Sequence, residues 1–131
     1  MSLEDKIIKK LNSSFFNSNK NLVGIGDDCA YLSKEDLLIS TDTFIENTHF
    51  DLDKSNPKQV AKKFFNANYS DLQCSGGQPA YCFLNISFSK KKSEFIHHFI
   101  KELTSLLKKY KITLMGGDTT KSITDISLTM T

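Results

Sequence analysis

The sequence predicts an α+β fold of two layers, in which a mixed, mostly antiparallel four-stranded sheet packs on two helices. Residues 60–68 and 95–110 carry apolar side chains at helical spacing, and each stripe is wide enough to cover a sheet. Around them, short runs of alternating or continuous apolar residues are bounded by Gly, Asp, Asn and Pro, the pattern of strands and turns. Helices and strands intermix over what reads as one sheet, which makes the two-layer arrangement the expected one.

The elements follow in chain order. Leu3, Ile7, Ile8 and Leu11 mark a short amphipathic helix, and the polar residues 12–21 after it read as a loop. Residues 22–25, 29–32 and 37–40 are apolar pieces between turn formers and read as strands with acidic residues at their ends. Asn56 before Pro57 starts a helix, since proline has no donor to lose at the first helical position. Val60, Ala61, Phe64, Ala67 and Asn68 share a face of it to about Leu72. Gly76, Gly77 and Pro79 stop that helix. In the strand 80–88 that follows, Cys82, Leu84, Ile86 and Phe88 lie on one face and Tyr81 and Phe83 on the other. Ser93 is the expected cap of the next helix, with Glu94 in its first turn. Phe95, Ile96, Phe99, Ile100, Leu103, Leu106, Leu107 and Tyr110 form its stripe, and His97, His98 and Lys101 lie off it. A short strand at 112–115 leads into Gly116 and Gly117, and Ile126, Leu128 and Met130 alternate in a last strand. No internal repeat, low-complexity tract or linker is visible.

Composition narrows the function classes. At 131 residues, 39% hydrophobic and 24% charged, the chain suits one domain with an ordinary core. No apolar run is long enough to cross a bilayer, and the acid-containing start MSLEDKIIKKL is unlike a signal, so a cytoplasmic protein without a membrane partner is expected. A net charge of +2 is too mild to argue for nucleic acid, and Lys90 to Lys92 read as a solvated loop. All 17 basic residues are lysine. Any planar guanidinium clamp on a phosphate must therefore come from outside this chain. Cys29, Cys74 and Cys82 are odd in number and form no CxxC pair, which fits packing residues in a reducing compartment.

Four segments, GIGDD, STDT, NYSDL and GGDTT, place Asp27, Asp28, Asp42, Asp71 and Asp118 beside Gly, Ser or Thr at element ends. Singly, such an aspartate is a turn former or cap. Brought together, several ionised carboxylates repel one another unless a cation sits among them, and Mg²⁺ is the hard, oxygen-preferring occupant that phosphoryl transfer uses. Gly116 and Gly117 would let backbone approach a phosphate.

In their order and separation, GIGDDCAYL, LLISTDTFIENTHF, NANYSDLQCSGGQP and LMGGDTT closely resemble the motifs of thiamine-monophosphate kinases. These belong to a superfamily with aminoimidazole ribonucleotide synthetase, selenophosphate synthetase and a hydrogenase-maturation protein. The resemblance covers nearly the whole chain from Gly24 onward. The His seven residues after the Asp of STDT, and GGDTT itself, favour the kinase branch. Departures are ENTHF where a glycine usually precedes the histidine region, NYSDLQCSGG for a more apolar form, and Lys121 where arginine is common.

The resemblance implies the fold of the amino-terminal domain of aminoimidazole ribonucleotide synthetase. It implies Mg²⁺ at Asp28, Ser40, Thr41, Asp42, Asp71 and Asp118, ATP at Gly117 and Asp118, and thiamine monophosphate at His49. The bland reading of His49 is a surface histidine beside Asp51; Asp27 only caps its turn, and Glu46 is a bystander. It further implies phosphorylation of thiamine monophosphate by ATP with no general base, residues 1–131 serving as an amino-terminal ATP, Mg²⁺ and dimerisation domain. On this resemblance a carboxy-terminal domain is expected to be absent from the chain, and the chain alone is expected to be inactive. Another ATP-dependent enzyme of the superfamily and a non-catalytic dimerisation module are the alternatives. Since the helices can cover only one face of the sheet, Tyr81 and Phe83 are expected to meet a second copy, or else to be covered by loop 12–21.

Overall fold

In the computed structural model, residues 1–15 and 22–131 are described, so most of the 12–21 loop and its covering role lie outside the described residues. The two long helices form where the stripes predict. α2 (Pro57–Cys74) starts in a capping box: the Asn56 side chain accepts the Gln59 N–H at 2.9 Å, and the Gln59 side chain accepts the Asn56 N–H at 3.4 Å. It buries Val60, Ala61, Phe64, Phe65 and Asn68, and α3 (Ser93–Lys109) buries Ile96, Phe99, Leu103 and Leu107. Ser93 is the first helical residue rather than the cap. A 3₁₀ turn, Lys90–Lys92, enters the helix instead, and the Ser93 hydroxyl donates to the Lys90 carbonyl at 2.6 Å.

Both helices pack on a sheet of β4 (Asp42–Ile45), β5 (Tyr81–Phe88), β6 (Thr113–Lys121) and β7 (Ser127–Met130), in the order β4-β7-β5-β6. β7 is antiparallel to β4 and β5; β5 and β6, joined through α3, are parallel. This is the expected mixed, mostly antiparallel four-stranded sheet on two helices. The core between them centres on Phe64, Phe65, Phe99, Leu103, Ile126 and Leu128.

Three expectations change. The early apolar pieces do not join this sheet: β1 (Leu22–Val23), β2 (Ala30–Leu32) and β3 (Leu37–Ile39) make an antiparallel sheet of their own. β4 arises inside the polar STDTFI segment, where the outward-facing Thr43 bonds across strands to Thr129 at 2.9 Å. The strand expected at 112–115 runs on through Gly-Gly-Asp-Thr-Thr to Lys121, after an irregularity opposite Cys82 and Phe83 that leaves Met115 unpaired. Gly117 has φ +149°, and a Cβ there would stand 1.8 Å from the Leu84 carbonyl oxygen. The glycine is thus required by the closeness of β5, whatever else approaches it.

α1 (Leu3–Ser14) also begins with a capping box, between Ser2 and Asp5, but none of its residues is buried. Cys29 and Cys82 are packed as expected while Cys74 is exposed; all three are free thiols. Among the described residues no helix is long and apolar enough to cross a membrane.

Candidate metal and substrate site

The register of the sheet sorts the site residues by face. Asp42 opens β4 in a row with Met130 and Leu84, so it lies on the helix-covered side. Asp71 sits in the last turn of α2, and Asp28 in the loop between β1 and β2. The buried Cys29 thiol donates to the Asp71 carbonyl at 3.4 Å, pinning that loop to the end of the helix. These contacts bring three of the four acidic segments together. The Asp71 carboxyl is raised above the usual aspartate range, first by partial burial and then by the charges of Asp28 and Asp42. Asp27 instead turns to its own backbone and accepts the Asp28 N–H at 3.0 Å.

Ser40 joins this side of the molecule. Its side-chain oxygen is buried without a hydrogen-bond partner and lines a cavity of about 30 Å³ beside Asn68 and Met130. An unpartnered hydroxyl, and the Asp71 carboxyl with Asp28 and Asp42 acting on it, are hard oxygen donors of the kind that Mg²⁺ takes. Among the described residues, no three His, Cys, Asp or Glu side chains are placed to hold a metal ion by themselves. Asp28 also opens onto a cleft of about 530 Å³ with Asp27, Asp36, Cys74 and Ser75, within the size range of small-molecule sites.

Thr41 and Asp118 lie elsewhere. The Thr41 hydroxyl pairs with that of Thr131 at 3.0 Å, and Thr131 bonds Phe83 through its backbone, on the uncovered face. Asp118 is opposite Asn85, also on that face, and β6 is three strands from β4, or about 14 Å at ordinary strand spacing. The chain therefore brings Asp28 and Asp42 to Asp71 on the side of Ser40, and holds Asp118 on the other face of the sheet.

His49 occupies a tight turn after β4. Its N–H donates to the Ile45 carbonyl at 2.8 Å, the Ile45 N–H donates to its Nδ1 at 3.0 Å, and its ring stacks on Phe44 with centroids 5.1 Å apart. Lys63 on α2 donates to the His49 carbonyl at 2.9 Å. Behind the turn is a contact that the sequence reading missed. Glu46 is buried, and both carboxylate oxygens accept from Lys92, at 2.6 and 2.5 Å; one also accepts the Ile126 N–H at 2.7 Å. Lys92 donates as well to the Thr124 carbonyl at 2.6 Å, so the solvated-loop reading of Lys92 does not hold, and Glu46 has a structural role.

The model of the family described as AIR synthase related protein, N-terminal domain, matches residues 26–131. A thiamine-monophosphate kinase of Haemophilus influenzae is 41% identical over 110 residues, covering 82% of this chain and 33% of that protein. The solved thiamine monophosphate kinase of Aquifex aeolicus superposes with a TM-score of 0.72 at 21% identity, over 99% of this chain and 43% of its own. The structure of AaThiL complexed with AMPPCP and TMP gives 0.74, also at 21% identity, over the same shares. The two superpositions establish the fold. The chain spans about a third of the length of the curated relatives it matches.

Proposed function

Because the chain belongs to the family of AIR synthase related proteins, N-terminal domain, we propose that it is the metal- and nucleotide-handling part of an enzyme that transfers the γ-phosphoryl group of ATP to thiamine monophosphate, giving thiamine diphosphate and ADP. The observation that carries this is the field of Asp28 and Asp42 at the Asp71 carboxyl, together with the unpartnered Ser40 hydroxyl. The kinase name of the Haemophilus influenzae relative and the AMPPCP and TMP of the AaThiL structure support the choice of donor and acceptor.

Asp28, Asp42, Asp71 and Ser40 would hold Mg²⁺ on the helix-covered side. When bound, Mg²⁺ supplies positive charge that lets two phosphates approach and offsets the charge developing at the transferred group. The chain's own work is positioning. An acceptor phosphate oxygen is already ionised at neutral pH, so it attacks the γ-phosphorus directly, ADP leaves with the bridging electron pair, and no side chain removes a proton. His49 meets thiamine monophosphate, while Gly117 and Asp118 contact ATP and Thr41 and Asp118 complete the metal support from the uncovered face. Because that face is remote from the other carboxylates, a second element, from the longer protein or from a second copy, must bring the two parts of the site together. Residues 1–131 alone therefore turn over no substrate, having no arginine and only about a third of the kinase relatives' length.

The pairing surface we assign to a homodimer is one end of the uncovered face, where Tyr81 is 67% and Phe83 49% exposed. Three free thiols and the absence of a described spanning helix support a cytoplasmic setting. The test is a product assay on the protein extended to the length of its relatives. Thiamine diphosphate and ADP formed in equal amounts, with Mg²⁺ required, is the expected result. ATP consumption without thiamine diphosphate would refute the assignment.

A further inference from the structure

We infer that Lys63 is a positioning residue for His49, holding the imidazole in the single tautomer that offers Nε2–H outward. The group that His49 recognises on a ligand must then be a hydrogen-bond acceptor, such as a pyrimidine nitrogen or a phosphate oxygen. This deepens the reading of His49 as a substrate contact and takes its functional meaning from that reading; the positioning itself stands on geometry.

Nδ1 of His49 accepts the Ile45 N–H at 3.0 Å. A neutral imidazole has one N–H, so a ring that accepts at Nδ1 carries its proton on Nε2. The ring plane is set by Phe44, to which it lies nearly parallel at 15°. A surface turn holds such an arrangement only if the turn is itself fixed. Its first half is anchored by Glu46, whose backbone N–H donates to Ile126 at 2.9 Å and whose carboxylate is buried on Lys92. Lys63 fixes the second half. Its ammonium donates to the His49 carbonyl at 2.9 Å and lies 5.6 Å from the centroid of the same Phe44 ring. One lysine thus touches both the histidine backbone and the aromatic platform under its side chain. Among the described residues no carboxylate pairs with it, so its contacts serve this turn rather than an ion pair.

The experiment is long-range proton–nitrogen NMR of the histidine side chains in the 131-residue chain, which has three histidines, two of them the exposed His97 and His98 of α3. Wild type should show His49 as one Nε2–H tautomer. In Lys63→Met, which keeps the apolar stem but loses the ammonium, the His49 nitrogens should shift toward the averaged values of a free imidazole. His97 and His98 should stay in place as the check on folding, and Lys63→Arg should restore the wild-type pattern. If Lys63→Met does not fold, Lys63→Gln against Lys63→Arg makes the same comparison. Adding thiamine monophosphate to the protein extended to the length of its relatives separates the two readings: a locked tautomer that the substrate never perturbs there removes the contact and leaves the positioning. A His49 tautomer unchanged by loss of the Lys63 ammonium, or one mixed already in the wild type, overturns the proposal.

Discussion

Asp71 is where the electrostatics of the site can be read most directly. Its carboxyl is raised from the ordinary 3.8 by partial burial, then by Asp28 and Asp42, so the folded chain holds that proton more tightly than the unfolded chain does. Such a group contributes stability that is fully present below the unfolded value and is lost as pH rises through the folded one. Without divalent cations, wild-type stability should therefore carry a component that falls from about pH 3.8 upward, and Asp71→Asn should lack it. Asp51, lowered by the Asp53 N–H and by Lys54, acts in the opposite direction, so the wild-type minus Asp71→Asn difference in urea midpoint against pH is the measurement. A difference that does not change with pH would deny the raised Asp71 carboxyl. The aspartates were legible in the sequence because each stands beside Gly, Ser or Thr in its segment. Lys63 and the Glu46–Lys92 pair were not. Their partners lie 14 and 46 residues away, and a charged residue in a polar segment carries no periodic signal of what it will meet.

At the scale of elements, two contacts hold the site's strands and turns. Adding a methyl at Gly117 would drive it into the Leu84 backbone at a positive φ, so Gly117→Ala should cost about 3 kcal/mol or more in chemical denaturation. Gly116→Ala meets only the Phe83 ring at an ordinary 3.6 Å and should cost less than about 1 kcal/mol, little more than a surface change. Equal losses would mean that β6 does not pair with β5 as described. Lys92→Met leaves the buried Glu46 carboxylate without its cation and should destabilise by roughly 3 kcal/mol, with Glu46→Gln in the same chain recovering part of it. Lack of any recovery in the double variant would show that the pair does not act as a unit. The helices were legible because burial imposes a 3.6-residue period on Val60, Phe64 and Asn68 and on Ile96, Phe99 and Leu103. β4 and the far half of β6 were hidden for the opposite reason. Their outward rows put Thr43 with Ile45 and include Asp118, and their inward rows include Asp42 and Gly117, so clean apolar alternation is missing where the chemistry is concentrated.

For the whole molecule, the uncovered sheet face is what leaves the chain incomplete. Polar rungs such as Thr43 with Thr129 occupy its middle, and the aromatic end at Tyr81 and Phe83 is the part suited to a two-fold contact. Phe83→Asp should split a dimer while leaving the domain folded, seen as a halved mass by light scattering at tens of micromolar; a wild-type monomer under those conditions would exclude the interface. The central claim, that Asp28, Asp42 and Asp71 form one divalent-cation site, is tested most directly by calorimetric titration of Mn²⁺ or Mg²⁺ into wild type, Asp42→Asn, Asp71→Asn and Asp53→Asn. Asp53 is an exposed carboxylate outside the cluster. The account predicts that Asp42→Asn and Asp71→Asn each weaken binding about tenfold or more, equivalent to about 1.4 kcal/mol, while Asp53→Asn leaves it unchanged. Equal weakening by all three would contradict it.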